Sequence, residues 1–224
     1  MKYSGIIFDF NGVLLWDTPL NDEAWQRLSL QLRGRALTPD EMRQTVHGRT
    51  NAAALSYITG QQLSIMDQRR LSEEKELLYQ QLCLEWGHDF RLSPGSVELL
   101  NYLVAHDIPH TIATSSGAMN VEFYLEWLHL DTWFDVSKIV YDDGTLAGKP
   151  APDCYQRAAA QLGLSPETCV VVEDAPSGIL AAQQAGIGRI YALGPAERHQ
   201  ALRQIAGVHD VIEHLGALPK EIFR

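Results

Sequence analysis

From Leu92 onward, apolar runs of strand length alternate with helical segments, and this alternation constrains the fold more than any other feature of the chain. Four runs predict strands: HTIATSS, FDVSKIVY, CVVVED and RIYAL. Helices are predicted over SPGSVELLNYLVAHD and MNVEFYLEWLHL, and near 152–162, 176–185 and 196–206. Strands separated by helices of this length pair in parallel through right-handed crossovers. We therefore expect a doubly wound α/β core.

The segment between Trp16 and about Arg91 differs, because it contains helical patterns and no convincing strand. Apolar residues recur at three- and four-residue steps from Thr18 until Gly34. Thr38 is the expected N-cap of a second helix, and further helices are predicted over 52–59 and 64–86. Residues 1–15 and 92–224 are thus predicted to form the α/β core, with an all-helical insert over 16–91.

Several predicted strands end in polar side chains. Asp9 follows the apolar run GIIF, Thr114 lies at the end of HTIATSS, and the acids Glu173 and Asp174 follow CVVV. Lys149 stands just before a Pro-rich helix start. Each residue has an ordinary structural interpretation as a cap, turn or surface residue. However, the carboxyl ends of parallel strands meet at one edge of a sheet, so together these residues predict a shared crevice.

The segments DFNGVL, ATSS, GKPAPDCY and VVVEDAPSG, in this order, resemble the four motifs of the haloacid dehalogenase superfamily. The resemblance covers essentially the whole chain. It points to the branch with a helical cap, to which β-phosphoglucomutase and many sugar-phosphate phosphatases belong. It implies a Rossmann-like α/β core, a helical cap and phosphoryl transfer through an aspartyl phosphate.

The resemblance also implies roles for individual residues. Asp9 would be the nucleophile, and Lys149 would add positive charge beside it. Mg²⁺ would be held by Asp9, Asp174 and the backbone carbonyl of Asn11. Glu173 would bind the metal or orient its water, and the spacing does not decide which of the two adjacent acids touches the ion.

Further residues are expected to hold the substrate. The predicted phosphate and substrate contacts are Thr114, Ser115, Ser116, Asn120 and Arg49. Thr114 and the amides that follow it would hold the transferring phosphoryl group, whereas Arg49, with His47 nearby, would reach a distal phosphate or sugar hydroxyl. Arg49 could equally be a solvated loop cation, and Asn120 could simply start a helix.

Asn11 departs from the family pattern, in which this position usually carries an Asp that protonates the leaving oxygen and activates water. An amide does not exchange a proton near neutral pH. The sequence leaves four explanations open: a native variant that uses good leaving groups, a binder with little turnover, an introduced substitution, or deamidation at the Asn11–Gly12 bond. Asn21 or Asp22 also stands where the mutase would carry a cap histidine, which weakens the mutase interpretation.

We therefore predict a magnesium-dependent phosphohydrolase that acts on a small phosphorylated metabolite, with a sugar phosphate favoured. The alternatives are a β-phosphoglucomutase-like isomerase and a low-turnover phosphometabolite-binding protein. A net charge of −10 argues against binding nucleic acid, because a phosphate backbone attracts surplus Lys and Arg. Three cysteines without ligand spacing predict neither a disulfide framework nor a zinc site. With no leader or membrane-length apolar stretch, we expect a soluble, cytoplasmic protein. We also expect a monomer.

Overall fold

The computed structural model describes residues 2–47 and 49–223. The strands of this part of the chain are β1 (Gly5–Phe8), β2 (His110–Gly117), β3 (Val140–Asp142), β4 (Cys169–Glu173), β5 (Arg189–Leu193) and β6 (Asp210–Ile212). The helices are α1 (Thr18–Arg33), α2 (Pro39–Thr45), α3 (Asn51–Thr59), α4 (Ile65–Glu85), α5 (Ser96–Ala105), α6 (Ala118–Leu128), α7 (Asp153–Gln161), α8 (Pro176–Gln184) and α9 (His199–Arg203).

The six strands form one parallel sheet in the order β3-β2-β1-β4-β5-β6. Successive side chains of β1 point to opposite faces, and both faces are covered. Ile6 and Phe8 pack in a cluster that includes residues of α5 and α6, whereas Ile7 packs with residues of α7 and α8. The predicted doubly wound α/β core is confirmed.

Four helices, α1 to α4, lie between the first strand and α5. They have an apolar cluster of their own, in which Trp25 and Leu28 of α1 pack with Leu55 of α3 and Leu71 of α4. The two connections to this helical segment lie side by side, because Leu15 and Leu92 form an antiparallel bridge. This geometry supports a helical insert over 16–91, whose exact boundaries stay a prediction.

Local sequence signals explain where several of these helices begin and end. Gly34 adopts φ 71°, a left-handed conformation that closes α1. The Thr38 side chain accepts a hydrogen bond from the Glu41 N–H, and the Glu41 carboxylate accepts one from the Thr38 N–H. This reciprocal capping box confirms the predicted start of α2. The Ser64 side chain caps α4 in a similar way.

Two predicted elements differ in the structure. The run FDVSKIVY is a strand only at Val140–Asp142, because Asp135 caps a 3-10 turn over Val136–Lys138. The helix expected over 196–206 is a 3-10 turn followed by the short α9. The sequence does not predict strand β6. The strand has only three residues, one of them the charged Asp210, and this is too short for an alternating pattern to be recognised. Across residues 2–47 and 49–223, no helix combines the length and apolarity needed to cross a membrane.

Candidate active site

The ends of three adjacent strands bring the predicted chemistry together. β1 pairs with β2 on one side and β4 on the other, so the side chains after or near their ends meet at one edge of the sheet. A cleft between this edge and the helices α1 to α4 contains most of the predicted site residues: Asp9, Asn11, Arg49, Thr114, Ser115, Ser116, Asn120 and Asp174. Lys149 and Glu173 lie buried beneath it.

The Lys149 ammonium group connects two of the acids. Its Nζ donates hydrogen bonds to Asp9 Oδ1 at 2.6 Å and to Glu173 Oε1 at 2.6 Å. It also donates to the backbone carbonyl of Ala113 at 3.3 Å. Burial alone would lower the pKa of Lys149, but the carboxylates of Asp9 and Glu173 raise that pKa well above its usual value. Lys149 therefore carries its positive charge directly against Asp9.

Both oxygens of Glu173 are engaged by hydrogen-bond donors. Oε1 accepts from Lys149 and from the Tyr155 hydroxyl at 2.8 Å. Oε2 accepts from the backbone N–H groups of Asp174 at 2.9 Å and of Ala175 at 3.0 Å. A Cβ at Gly178 would overlap this carboxylate, which explains the glycine there. Because both of its oxygens already accept hydrogen bonds, Glu173 is better suited to orienting Lys149 than to binding a metal ion directly.

Asp174 is held differently, because its carboxylate lies against the backbone of Gly12. Gly12 has φ 84°, and a Cβ at this position would overlap the Asp174 side chain. Removal from water raises the pKa of Asp174 well above its usual value, and the carboxylates of Glu173 and Asp9 raise it further. Arg198 and Lys149 lower the same pKa. In this environment Asp174 needs additional positive charge in order to ionise.

The acid cluster fits a divalent cation. One oxygen from each of Asp9, Glu173 and Asp174 lies within 4.8 Å of the other two. The Lys149 ammonium touches two of these three carboxylates, those of Asp9 and Glu173, so the carboxylates outnumber it. Oxygen donors with surplus negative charge are the set that Mg²⁺ prefers, and Asp174 has the side chain least engaged by other donors.

The Asn11 side chain is fixed at both ends. Its Oδ1 accepts a hydrogen bond from Ser116 Oγ at 2.8 Å. Its Nδ2 donates to Asp17 Oδ2 at 2.7 Å and to the Tyr124 hydroxyl at 2.9 Å. This network positions the amide but gives it no means to accept or release a proton.

The backbone after Asn11 bears on the deamidation alternative. Deamidation requires the Gly12 nitrogen to attack the Asn11 side-chain carbonyl. The Gly12 N–H instead donates to the Leu15 carbonyl at 2.7 Å, while the Asn11 amide is held in place by its own partners. The folded site therefore disfavours this reaction.

Asp17 belongs to the same network and is not among the predicted site residues. Its side chain is fully buried, and its Oδ2 accepts hydrogen bonds from Asn11 and from the Tyr79 hydroxyl. Its Oδ1 has no hydrogen-bond partner in the described part of the chain. Burial raises the pKa of Asp17 above its usual value. An acid before Thr18 looks like an N-cap in the sequence, yet the Asp17 side chain caps no helix N–H.

The predicted phosphate-binding residues follow Ala113 along β2. Thr114 is buried, and its Oγ1 accepts a hydrogen bond from the Ser116 N–H at 3.1 Å. Asn120 lies inside α6 and is 2% exposed. Its Nδ2 donates to Glu76 Oε2 at 2.6 Å, and its Oδ1 accepts from Gln80 Nε2 at 3.0 Å. Asn120 is therefore tied to α4 as well as lining the cleft.

His47 and Arg49, which lie between α2 and α3, contact residues of the core. Arg49 Nη1 donates to the backbone carbonyl of Lys149 at 3.5 Å, and Ser177 Oγ donates to the His47 carbonyl at 3.4 Å. The His47 imidazole lies 2.8 Å from Asp22 Oδ1. Arg49 is thus not a free loop cation, since it reaches the backbone of a predicted catalytic residue.

Lys75 and Glu76 also line the cleft and are absent from the sequence predictions. Both are buried on α4, and Lys75 Nζ lies 2.9 Å from Glu76 Oε2. The signal for Lys75 is its place four residues from both Leu71 and Tyr79, on the buried face of the helix. A charged residue in an apolar stripe is unusual unless it is paired.

Comparisons with known proteins agree with this geometry. The haloacid dehalogenase-like hydrolase model matches residues 3–186. The phosphorylated carbohydrates phosphatase of Thermotoga maritima is 33% identical, over 83% of this chain and 83% of its own. Hexitol phosphatase A of Escherichia coli is 30% identical, over 88% and 86% of the two chains. A haloacid dehalogenase hydrolase of family IA, variant 3, from Entamoeba histolytica has a TM-score of 0.87 and 36% identity, covering 99% of this chain and 97% of its own.

Proposed function

The chain belongs to the haloacid dehalogenase-like hydrolase family, and from this premise we propose that it releases phosphate from a small phosphorylated metabolite through a phosphoryl group carried on Asp9. The observation that carries the proposal is the contact of the buried Asp9 carboxylate with the Lys149 ammonium at 2.6 Å. The similar proteins of Thermotoga maritima and Escherichia coli are named as phosphatases of phosphorylated carbohydrates and hexitols, so a sugar or sugar-alcohol phosphate is the favoured substrate.

Asp9 acts as the nucleophile in this proposal. Lys149 holds Asp9 Oδ1, so Oδ2 is the atom that attacks phosphorus. The bond from phosphorus to the ester oxygen breaks, and the leaving group departs with that oxygen. A carboxylate and a phosphate dianion repel each other, and the positive charge of Lys149 offsets part of this repulsion. Glu173 keeps Lys149 in place through its own 2.6 Å contact.

We propose that Asp9, Asp174 and the backbone carbonyl of Asn11 hold Mg²⁺. When bound, Mg²⁺ supplies positive charge beside the phosphate oxygens. Thr114, together with the N–H group of Ser115, binds the transferring phosphoryl group. Ser116 supports both sides of the site, because its N–H donates to Thr114 Oγ1 and its hydroxyl donates to Asn11.

Asn11 determines how fast the cycle runs. After phosphoryl transfer, water must attack the aspartyl phosphate and lose a proton, and in the first half the leaving oxygen must gain one. Asn11 can orient water or the ester oxygen by hydrogen bonding but cannot move these protons. The enzyme should therefore favour good leaving groups and should accumulate the phosphorylated form.

We propose that residues 16–91 form a cap whose contacts with the core exclude water from the cleft. Arg49 donates to the Lys149 carbonyl and Asn120 donates to Glu76, so each of these contacts joins a residue of 16–91 to a residue of the core. Exclusion of water protects the aspartyl phosphate from uncontrolled hydrolysis. In this arrangement Arg49, which lines the same cleft as Thr114, contacts the substrate.

A second candidate function is phosphometabolite binding with little turnover, which the fixed Asn11 amide favours. The experiment that separates the two is a panel of sugar and nucleotide phosphates, together with p-nitrophenyl phosphate, assayed for phosphate release with and without Mg²⁺. A phosphatase releases phosphate in a Mg²⁺-dependent way, and Asp9→Asn does not. Binding of these esters without any release, even from p-nitrophenyl phosphate, would support the binder. The monomeric state and the cytoplasmic location stay predictions.

A further inference from the structure

A second buried ammonium group lies in the cleft, on the side formed by α1 to α4. Lys75 is 4% exposed and faces the cleft that also contains Asp9. Its Nζ lies 5.1 Å from the ring centres of both Trp25 and Tyr79. The charged partner of Lys75 is Glu76, whose Oε2 lies 2.9 Å from Nζ. The positive charge of Lys75 is therefore already neutralised inside the protein.

The Glu76 carboxylate is fixed by two further donors. Asn51 Nδ2 donates to Oε1 at 2.5 Å, and Asn120 Nδ2 donates to Oε2 at 2.6 Å. Gln80 in turn fixes Asn120 through a 3.0 Å hydrogen bond. Because Glu76 is held from α3, α4 and α6, it cannot swing away to release Lys75 to an incoming anion. The pair is a fixed, electrically neutral part of the cleft wall.

Three guanidinium groups of the described residues also line this cleft, those of Arg43, Arg49 and Arg198. Arg43 is paired with Asp40 on α2. Arg49 donates to the backbone carbonyl of Lys149, and Arg198 donates to that of Asp174 at 3.2 Å. Both cations thus lie beside the acid cluster, where the reacting phosphate is expected. The wall around Lys75 presents instead a paired charge, two amides and the Trp25 indole.

We infer that the Lys75–Glu76 pair determines which leaving group the cleft accepts: a neutral polyhydroxyl chain, and not a second phosphate or a carboxylate. This inference rests on the proposed function, since it assumes that the reacting phosphate lies at Asp9. Hydroxyl groups both donate and accept, so they match the Lys75 ammonium and the Glu76 carboxylate together. An anionic end placed against this pair would be repelled by the Glu76 carboxylate, and the nearby charge of Lys75 is already paired with that carboxylate.

The test compares two acyclic compounds, a hexitol 6-phosphate and the corresponding hexitol 1,6-bisphosphate, as competitive inhibitors of p-nitrophenyl phosphate hydrolysis. The ratio of their inhibition constants measures the preference for a neutral end independently of turnover. Glu76→Gln removes the repulsion and leaves Lys75 unpaired, so the preference for the monophosphate should fall about tenfold or more. Lys75→Met leaves Glu76 unpaired, so the same preference should rise.

Opposite changes in the two variants cannot come from a general loss of folding, and this keeps the test valid if one variant is unstable. Glu73→Gln is the matched control, because Glu73 lies on the same helix, is half exposed and pairs with Arg69. It should leave the ratio unchanged. A ratio that does not move in Glu76→Gln, or that moves in the same direction in both variants, would overturn this inference while leaving the phosphatase intact. Absence of p-nitrophenyl phosphate hydrolysis in the wild type would overturn the proposed function and this inference with it.

Discussion

The two buried lysines of the cleft have opposite electrostatic surroundings. Lys149, at the sheet edge, touches the carboxylates of Asp9 and Glu173, and Asp174 lies close to both acids. Lys75, on α4, contacts the single carboxylate of Glu76, which is further held by amide donors. One centre thus has three carboxyl groups around one ammonium group, whereas the other has one of each.

In the proposed function, the two centres contact the two ends of the substrate. A buried excess of negative charge is costly unless a cation joins it, so the sheet edge suits Mg²⁺ together with a phosphoryl group. A neutral ion pair attracts neither a cation nor an anion strongly, and it suits hydroxyl groups.

The largest effect is expected at Asp9. Asp9→Asn removes the nucleophile while keeping the shape of the side chain, so kcat/KM for p-nitrophenyl phosphate should fall by at least about 10³-fold. Steady-state phosphate release measures the loss. Asp131→Asn, at an exposed position, is the control and should retain full activity. An Asp9→Asn enzyme with more than a tenth of wild-type activity would remove Asp9 from the chemistry.

The next effect concerns Asn11. Asn11→Asp supplies a group that can move protons, so steady-state turnover should rise by about 10² or more. Asn101→Asp is a matched control on an exposed helix position, where the carboxylate can still accept the Trp133 N–H. Intact-mass analysis must show that Asn11 of the wild type has not deamidated. Unchanged turnover on every ester tried would mean that another residue moves the proton or that the chain is a binder.

A smaller effect tests the excess charge at the sheet edge. Mg²⁺ at 100 times its dissociation constant should stabilise the folded protein by about 2.7 kcal/mol, which a thermal melting curve detects. Asp174→Asn should abolish this gain and should raise the melting temperature in EDTA, because one of three neighbouring acids is removed. A wild-type melting temperature that does not change with millimolar Mg²⁺, together with an unchanged melting temperature in Asp174→Asn, would contradict the metal assignment.

The smallest effect is expected from Asp17, as a change in stability with pH. The pKa of Asp17 is raised by burial above its ordinary value of 3.8. The folded protein therefore binds this proton more tightly than the unfolded chain does. The stabilisation is complete below pH 3.8 and is lost as the pH rises through the folded-state pKa. In EDTA, melting temperatures of the wild type should fall more steeply with rising pH than those of Asp17→Asn. Parallel profiles would contradict the assignment.

Much of the fold could be predicted because its signals are local or periodic. The buried strands, the Gly34 helix end and the Thr38 capping box each depend on a few neighbouring residues. The strand β6 could not be predicted, since three residues contain too little pattern. At the sheet edge, Asp9 could be found because parallel strands bring their carboxyl ends together.

The wall formed by α1 to α4 was harder to predict. Asp17 resembles a helix cap in the sequence, and its contact with Tyr79 joins residues far apart in the chain. Glu76 next to Lys75 looks like an ordinary charged stretch of a solvated helix. Only the three-dimensional packing of α3, α4 and α6 shows that this pair is buried and held by amides.

The most direct test of the account is the location of the phosphoryl group during turnover. Wild-type enzyme is mixed with p-nitrophenyl phosphate and Mg²⁺, quenched in acid within the first turnovers and analysed by intact mass and peptide mapping. The account predicts a phosphoryl group on Asp9, at higher occupancy in the wild type than in Asn11→Asp, and none in Asp9→Asn. Phosphate release without any phosphorylated Asp9, or a phosphoryl group on a different residue, would contradict it.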